Sequence, residues 1–239
     1  MGGSLAKAIK HFSPCYITAI EADPISAKLA KTEGSVDAFC SLCDLPASVE
    51  LVFVCTPMSR VKNHIKQLLI HCSSETLISD IASAKAYLAK ENFPDRVILG
   101  HPIAGKETAG YASAETRLFD KRSYVLIPPK NRLKGYEKLK ELIESIGAVV
   151  IECSAAHHDK QLALSSHFPY FAAKAALNTT QKCELDQAFI GPGFESFTRL
   201  AHSQATWAKD ITRFNKEEIV CAIESYQQSL SLLLKELQI

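Results

Sequence analysis

The stretch GHPIAGKETAG, residues 100–110, sets a histidine directly after an apolar run, holds it with Pro102 and follows it with a glycine-rich loop. An imidazole in that position titrates near working pH and can take a proton from a hydroxyl. The plainer alternative is a structural histidine bonding a loop carbonyl, and the position of His101 favours chemistry over it. Ser83, in SDIASAK (79–85), can donate to a substrate oxygen or simply cap the next helix, and pattern alone favours the cap. Glu21 closes YITAIEAD (16–23). An acid there accepts from ribose hydroxyls in a dinucleotide site, or is a solvated charge at a strand end. Gly2, Gly3 and Ser4 upstream bring the spacing near a dinucleotide fingerprint, and the two readings then balance. Such an acid also repels a 2′-phosphate, which leans toward NAD over NADP. His167, in HHDKQLALSSHFPYF (157–171), shares a helical side with Leu164 and Phe171, the usual setting of a core histidine. Arg199, in GPGFESFTRLAHSQATWAKDI (191–211), stands beside apolar residues. A partly buried arginine pairs with a carboxylate, and spacing does not say whether that carboxylate belongs to protein or substrate.

These residues need elements to position them. The chain opens MGGSLAKAIK, which reads as the second half of a phosphate-binding turn: Gly2, Gly3 and Ser4 at a helix start, with Leu5, Ala6, Ala8 and Ile9 on its packed side. Strands are expected at 16–23, at LVFVCTP (51–57), at TLISDIA (76–82), at VILG (97–100), at YVLIP (124–128) and at AVVIEC (148–153). Thr56 and Pro57 close the second of these and join the cofactor-binding candidates, since ligands gather at the carboxyl ends of strands in open α/β sheets. One helix carries Val61, Ile65, Leu68 and Leu69 on one face, another begins near Lys85, and a third carries Tyr136, Leu139, Ile143 and Ile146. Strands alternating with helices predict parallel βαβ units in a doubly wound sheet.

The pattern changes after Cys153, and no strand is expected from His157 onward. The last segment repeats Ile219, Ile223, Tyr226, Leu230, Leu233 and Leu237 at alternating spacings of four and three, a heptad-like seam. Residues 1–153 are therefore read as a dinucleotide-binding domain and 154–239 as a helical substrate and dimerisation domain. A small helical domain with a long apolar seam buries it against a second copy.

The 239 residues carry 27 basic and 26 acidic side chains, a formal net charge of +1, so no strong field points to nucleic acid or a membrane surface. No apolar run approaches a membrane span, and no signal-peptide pattern opens the chain. Of eight cysteines only Cys40 and Cys43 form C-x-x-C, and nothing completes a metal pattern. Cys15, Cys55, Cys153 and Cys221 lie in apolar segments and read as small core residues, which suits a reducing cytoplasm.

SDIASAKAYL, HPIAGKETAGYASAETRLFDKRSYVLIP, HHDKQLALSSHFPYF and GFESFTRLAHSQATWAKDI together resemble the motifs of the prephenate and arogenate dehydrogenases, which make the tyrosine precursor. The resemblance spans essentially the whole chain. It implies a Rossmann-like domain lacking its first strand, followed by an all-α dimerisation domain, and a homodimer formed through the C-terminal helices. It implies oxidative decarboxylation of prephenate to 4-hydroxyphenylpyruvate with hydride transfer to NAD, NADP being possible. By position, His101 matches the base that takes the ring-hydroxyl proton, and Ser83 the serine bonding the same hydroxyl. Arg199 matches the arginine that binds a substrate carboxylate, and His167 a second pocket histidine. Glu107 matches a pocket acid. Gly2 and Gly3 match the last glycines of the cofactor fingerprint, which Ser4 completes, and Glu21 the ribose-binding acid. The chain departs from the family at Lys106, often threonine and counted with the substrate residues, at Ser196, often an acid, and at Tyr170, often histidine. These put the choice between prephenate and arogenate in doubt. No strand or G-x-G precedes Gly2: either the chain is N-terminally truncated and its true start lies upstream, or part of the cofactor site has been lost, and weakened NAD binding and lower stability are expected. Two readings remain as alternatives: an arogenate dehydrogenase, and a non-catalytic paralogue with an impaired cofactor site.

Overall fold

A computed structural model describes residues 1–105, 108, 110–131 and 134–238. The chain forms two compact units, Met1–Ser83 with Leu88–Ser154, and Ala84–Tyr87 with the residues from Ala155 onward.

In the first unit the elements run α1 (Gly2–Phe12), β1 (Thr18–Ala19), α2 (Pro24–Thr32), β2 (Ala38–Phe39), β3 (Leu51–Val54), α3 (Met58–His71) and β4 (Leu77–Asp80). After α4 (Ala86–Ala89) come β5 (Val97–Pro102), β6 (Ser123–Ile127), α5 (Lys134–Ser145) and β7 (Val149–Glu152). Leu5, Ala8 and Ile9 are buried on α1, and Met58, Val61, Ile65 and Leu68 on α3, at the spacing of one helical face. Tyr136, Leu139, Ile143 and Ile146 are all buried, on α5 and the turn after it. One core gathers Leu5, Ala8 and Ile9 with Ile98, Phe119, Tyr124, Leu126 and the α5 face.

The sheet is mixed. Five strands lie in the order β3-β4-β5-β6-β7, every neighbouring pair parallel except β5–β6, which is antiparallel with His101 opposite Val125. The expectation of uniformly parallel units fails at that joint for a simple reason. A parallel return needs a crossover, usually a helix, and the described residues between β5 and β6 supply only a 3-10 turn at Tyr111–Ser113. The strand expected over 16–23 shrinks to Thr18–Ala19, which pairs in parallel with β2, an element the sequence pattern does not announce. These two form a separate two-stranded ladder.

In the second unit α6 (Ala155–Leu162) continues through a π-turn at Ala163–His167 into α7 (Phe168–Lys182). Then follow α8 (Pro192–Thr198), a 3-10 turn at Arg199–His202, α9 (Ala205–Phe214) and α10 (Lys216–Leu237). Pro169 has no N–H to return to the carbonyl four residues back, which favours the looser turn at this place. Among the described residues no helix is long and apolar enough to cross a membrane.

Candidate active site

β4 and β5 are buried along their whole lengths and run parallel, so their carboxyl ends lie at one edge of the sheet. Ser83 sits in the bend that follows β4, half-buried. His101 is the last residue but one of β5, the middle strand of the five, and is 8% exposed. The structure thus brings Ser83 and His101 to the ends of adjacent strands. Lys106 and Glu107, counted with the substrate residues from the sequence, lie outside the described residues.

The cofactor candidates fall at strand and helix ends of the same unit. Gly2, Gly3 and Ser4 form the first turn of α1, and the first backbone bond of that helix runs from Leu5 N–H to the Met1 carbonyl. The three preceding amides therefore have no partner within the helix. A Cβ on Gly2 would come within 2.9 Å of Cys55 Cβ, and one on Gly3 within 2.6 Å of Tyr111 Cδ2, so glycine lets this turn lie against the end of β3. The turn holds no acidic side chain. That donor set suits a diphosphate. The Ser4 side chain is buried and committed elsewhere, its Oγ accepting from Glu115 N–H at 3.1 Å. Glu21 is exposed just beyond β1, with Oε1 accepting from Asp23 N–H at 2.9 Å. Thr56 Oγ1 lies 2.9 Å from His64 Nδ1, and Pro57 is the N-cap of α3. Cys55 packs against the core, and burial pushes its thiol up to about 12, so it is no nucleophile.

In the helical unit His167 ends the π-turn and is fully buried. The extra residue of that turn separates it from Leu164, which is half exposed, so the shared face expected from regular helical spacing does not form. The Asn215 amide nitrogen donates to the Asp159 carbonyl at 2.8 Å and stands 3.1 Å from His167 Nδ1. Its two hydrogens satisfy both acceptors, which assigns the imidazole proton to Nε2. Nε2 is buried without a hydrogen-bond partner among the described residues, beside the Trp207 ring at 5.8 Å between centroids. Burial, with the nearby Asp159 charge opposing it, lowers the His167 pKa to about 4. The ring is therefore a neutral donor at neutral pH.

Two corrections come from this unit. Arg199, expected to be partly buried, is exposed, at the start of the 3-10 turn after α8; the buried neighbour is Thr198. Cys221, read as a core residue, is exposed, because α10 turns Ile219 and Ala222 inward instead.

Sequence reasoning missed Asp159. Its carboxylate, 1% exposed, accepts from Lys85 N–H at 2.7 Å and Ala86 N–H at 2.8 Å, with His158 Nδ1 at 2.7 Å. The only signal was an acid inside HHDKQ, on a helix whose neighbours are polar. Asn215 was equally silent, a polar residue between two helices.

The chain thus carries an α/β unit with a histidine and a serine at adjacent strand ends, and a helical unit with a buried histidine whose Nε2 has no hydrogen-bond partner among the described residues. The family model described as the prephenate dehydrogenase nucleotide-binding domain matches residues 5–152, and that of the prephenate dehydrogenase dimerization domain matches 154–238. The chain belongs to the prephenate dehydrogenase family. It is 30% identical over 236 residues to the prephenate dehydrogenase of Bacillus subtilis, covering 92% of this chain and 63% of that protein. It is similar, at TM-score 0.90 and 30% identity over 100% of this chain and 88% of the other, to the Aquifex aeolicus prephenate dehydrogenase solved with hydroxyphenyl propionate and NAD+. An arogenate dehydrogenase from Synechocystis shares the fold at TM-score 0.85 and 24% identity, over 99% of this chain and 88% of that one. The chain thus spans just under two thirds of the Bacillus relative's length.

Proposed function

We propose that the chain is a prephenate dehydrogenase acting in tyrosine biosynthesis. The observation that carries this reading is the placement of His101 and Ser83 at neighbouring strand ends, the two residues that the sequence resemblance implies meet the substrate hydroxyl. A bound nicotinamide dinucleotide supplies the hydride acceptor. His101 takes the proton of the ring hydroxyl as the hydride leaves the same carbon, and Ser83 donates to that oxygen. The ring carboxylate departs as carbon dioxide, its bonding electrons complete the aromatic ring, and His101 returns the proton to the resulting phenolate oxygen. Aromatisation drives the reaction, so the protein's part is orientation and one base of suitable strength.

Arg199, exposed and cationic, binds a substrate carboxylate in this reading, and His167 offers a second carboxylate a neutral Nε2–H. Lys106 and Glu107 would act on the substrate as well. The amides of Gly2, Gly3 and Ser4 would receive the diphosphate and Glu21 the ribose hydroxyls, with Thr56 and Pro57 completing the cofactor-binding residues. Glu21 favours NAD over NADP.

Absorbance at the NADH band tests the reading, with prephenate and arogenate compared under NAD and NADP. Turnover of prephenate with NAD supports it. Greater kcat/KM with arogenate makes the chain an arogenate dehydrogenase, and no turnover with either substrate and either cofactor favours the non-catalytic paralogue. His101→Asn is expected to lower kcat about 1000-fold with the melting temperature unchanged, the scale of a lost general base. Undiminished turnover in that variant removes His101 from the role.

We further propose a homodimer through the C-terminal helices. On α10 Tyr226, Leu230, Leu233 and Leu237 follow the seam and are 36%, 46%, 53% and 85% exposed, which a second copy would cover. Sedimentation should give twice the chain mass, and Leu230→Glu with Leu233→Glu should return it to one chain. Monomeric wild type excludes the dimer. All eight cysteines are free, which suits a cytoplasmic enzyme.

A further inference from the structure

We infer that Asp80 is the positioning residue that holds Ser83 and His101 in one fixed relation. The inference rests on the reading of those two residues as the pair that meets the substrate hydroxyl.

Asp80 is the last residue of β4 and is 0% exposed. One carboxylate oxygen, Oδ2, accepts from Ala82 N–H at 2.8 Å, and Ala82 immediately precedes Ser83. The other, Oδ1, accepts from Gly100 N–H at 3.2 Å, and Gly100 immediately precedes His101. A single side chain therefore ties down the amide of the residue before each proposed reactive residue. The β4–β5 ladder pairs Ile78 with Val97 and Ser79 with Ile98. Beyond those pairs the carboxylate continues the link that backbone bonds began.

The surroundings make this joint stiff. A Cβ on Gly100 would stand 3.0 Å from the Asp80 carbonyl oxygen, 3.1 Å from Tyr124 Cε1 and 3.2 Å from Ser79 Oγ, so the two strand ends are in close contact. Tyr124 is fully buried beneath them. A carboxylate is needed because both partners are donors. An amide in its place has one oxygen and one NH2, and its NH2 would face one of the two N–H groups. Asp80 touches neither substrate nor cofactor by this account. It acts through two backbone segments, and orientation errors of roughly 1 Å cost about 100-fold in rate.

Asp80→Asn is the test, because it changes almost no volume. The expected result is a kcat on prephenate lowered about 100-fold, a KM for prephenate within about threefold of wild type, and an unchanged KM for NAD. Ser83 and His101 resonances in amide and imidazole NMR spectra should shift together, with α10 resonances unmoved. A kcat within about twofold of wild type would overturn the inference. So would parallel loss of kcat, both affinities and α10 resonances, the pattern of a merely structural residue. If Asp80→Asn does not fold, hydrogen exchange on the wild-type chain decides. Protection of both the Ala82 and Gly100 amides at the level of the β4 core supports the joint, and fast exchange of either overturns it. Wild-type inactivity on both prephenate and arogenate would refute the functional reading, and the exchange and NMR results would still judge whether Asp80 couples the two segments.

Discussion

The α/β unit contains two sheets built in different ways. In the five-stranded sheet β4 and β5 are buried throughout, and Ile98, Tyr124 and Leu126, with Leu139 of α5 in the same core, are at most 1% exposed. The two-stranded ladder has two residues per strand, with Tyr16, Ile20 and Ile25 around it 75%, 51% and 70% exposed. Its small apolar cluster is Ala30, Val36 and Tyr111. Polar contacts do the rest of the fastening. Lys7 Nζ pairs with Glu33 at 2.7 Å, Lys10 Nζ pairs with Asp37 at 2.6 Å, and Tyr111 Oη donates to Glu33 at 3.0 Å. Ser35 Oγ and Tyr111 Oη are 2.6 Å apart. One half is therefore held by desolvated apolar surface and the other by charges near water. The proposed reactive pair, Ser83 and His101, is mounted on the first, and the proposed ribose acid, Glu21, on the second. In the proposed reading, chemistry that tolerates little misplacement would sit on the sheet held by apolar burial, and the ribose contact on the ladder held by charges.

The largest test of that contrast is a pair of truncations. Leu126→Ala opens a cavity in a site with 0% exposure and should cost about 3 kcal/mol of unfolding free energy, within the usual range for such changes. Ile25→Ala, at 70% exposure, should change it by less than about 0.5 kcal/mol. Denaturant titration of both variants measures it. Similar costs at the two positions would break the comparison, because the ladder side would then carry as much apolar stabilisation as the sheet.

The same contrast explains which parts of the fold could be read from the sequence. LVFV and VILG are continuous apolar runs, LISD opens on two apolar residues, and Val61, Ile65 and Leu68 repeat at a helical spacing; burial imposes those patterns, so they survive in the sequence. β2 is two residues long and carries no periodicity. The reversed direction of β6 depends on a connection whose described residues form no crossover helix, not on the residues of the strand. Among the candidate residues, His101, Ser83, His167 and Arg199 stood out by residue type and by resemblance. The residues that support them did not. Asp159 lies 74 positions from Lys85 and Asp80 lies 20 from Gly100, and a contact between an acid and a distant backbone amide leaves no mark on either segment. The π-turn likewise rotates His167 away from the face that regular spacing assigns to it.

Acid should take these regions apart in order, with smaller effects than core truncation. His167 prefers its neutral form when folded, its pKa lowered from 6.5 to about 4 chiefly by burial. The stability that depends on it is present above the unfolded value and declines as pH falls from about 6.5 toward 4, so α7 and α9 should loosen first. Asp37 is held below the usual aspartate value of 3.8, first by Ile17 N–H and then by Lys10, and Glu33 below 4.5, first by Lys7 and then by Tyr111. Their contribution is present above those unfolded values and is lost as pH falls through the lowered folded ones, so the ladder should follow in more acid solution. Both groups lie near solvent, so salt should weaken the same contacts at neutral pH. The five-stranded core rests mainly on apolar burial and should hold longest. Amide protection corrected for intrinsic exchange measures the order, with Ile17 N–H, bonded to Asp37 Oδ2 at 2.7 Å, reporting on the ladder and Ile78 N–H, bonded to the Arg96 carbonyl at 2.9 Å, reporting on the core. Earlier loss at Ile78 than at Ile17 would mean that the charges near water are not the weaker fastening, and the division between a sheet held by apolar burial and a ladder held by charges would have to be abandoned.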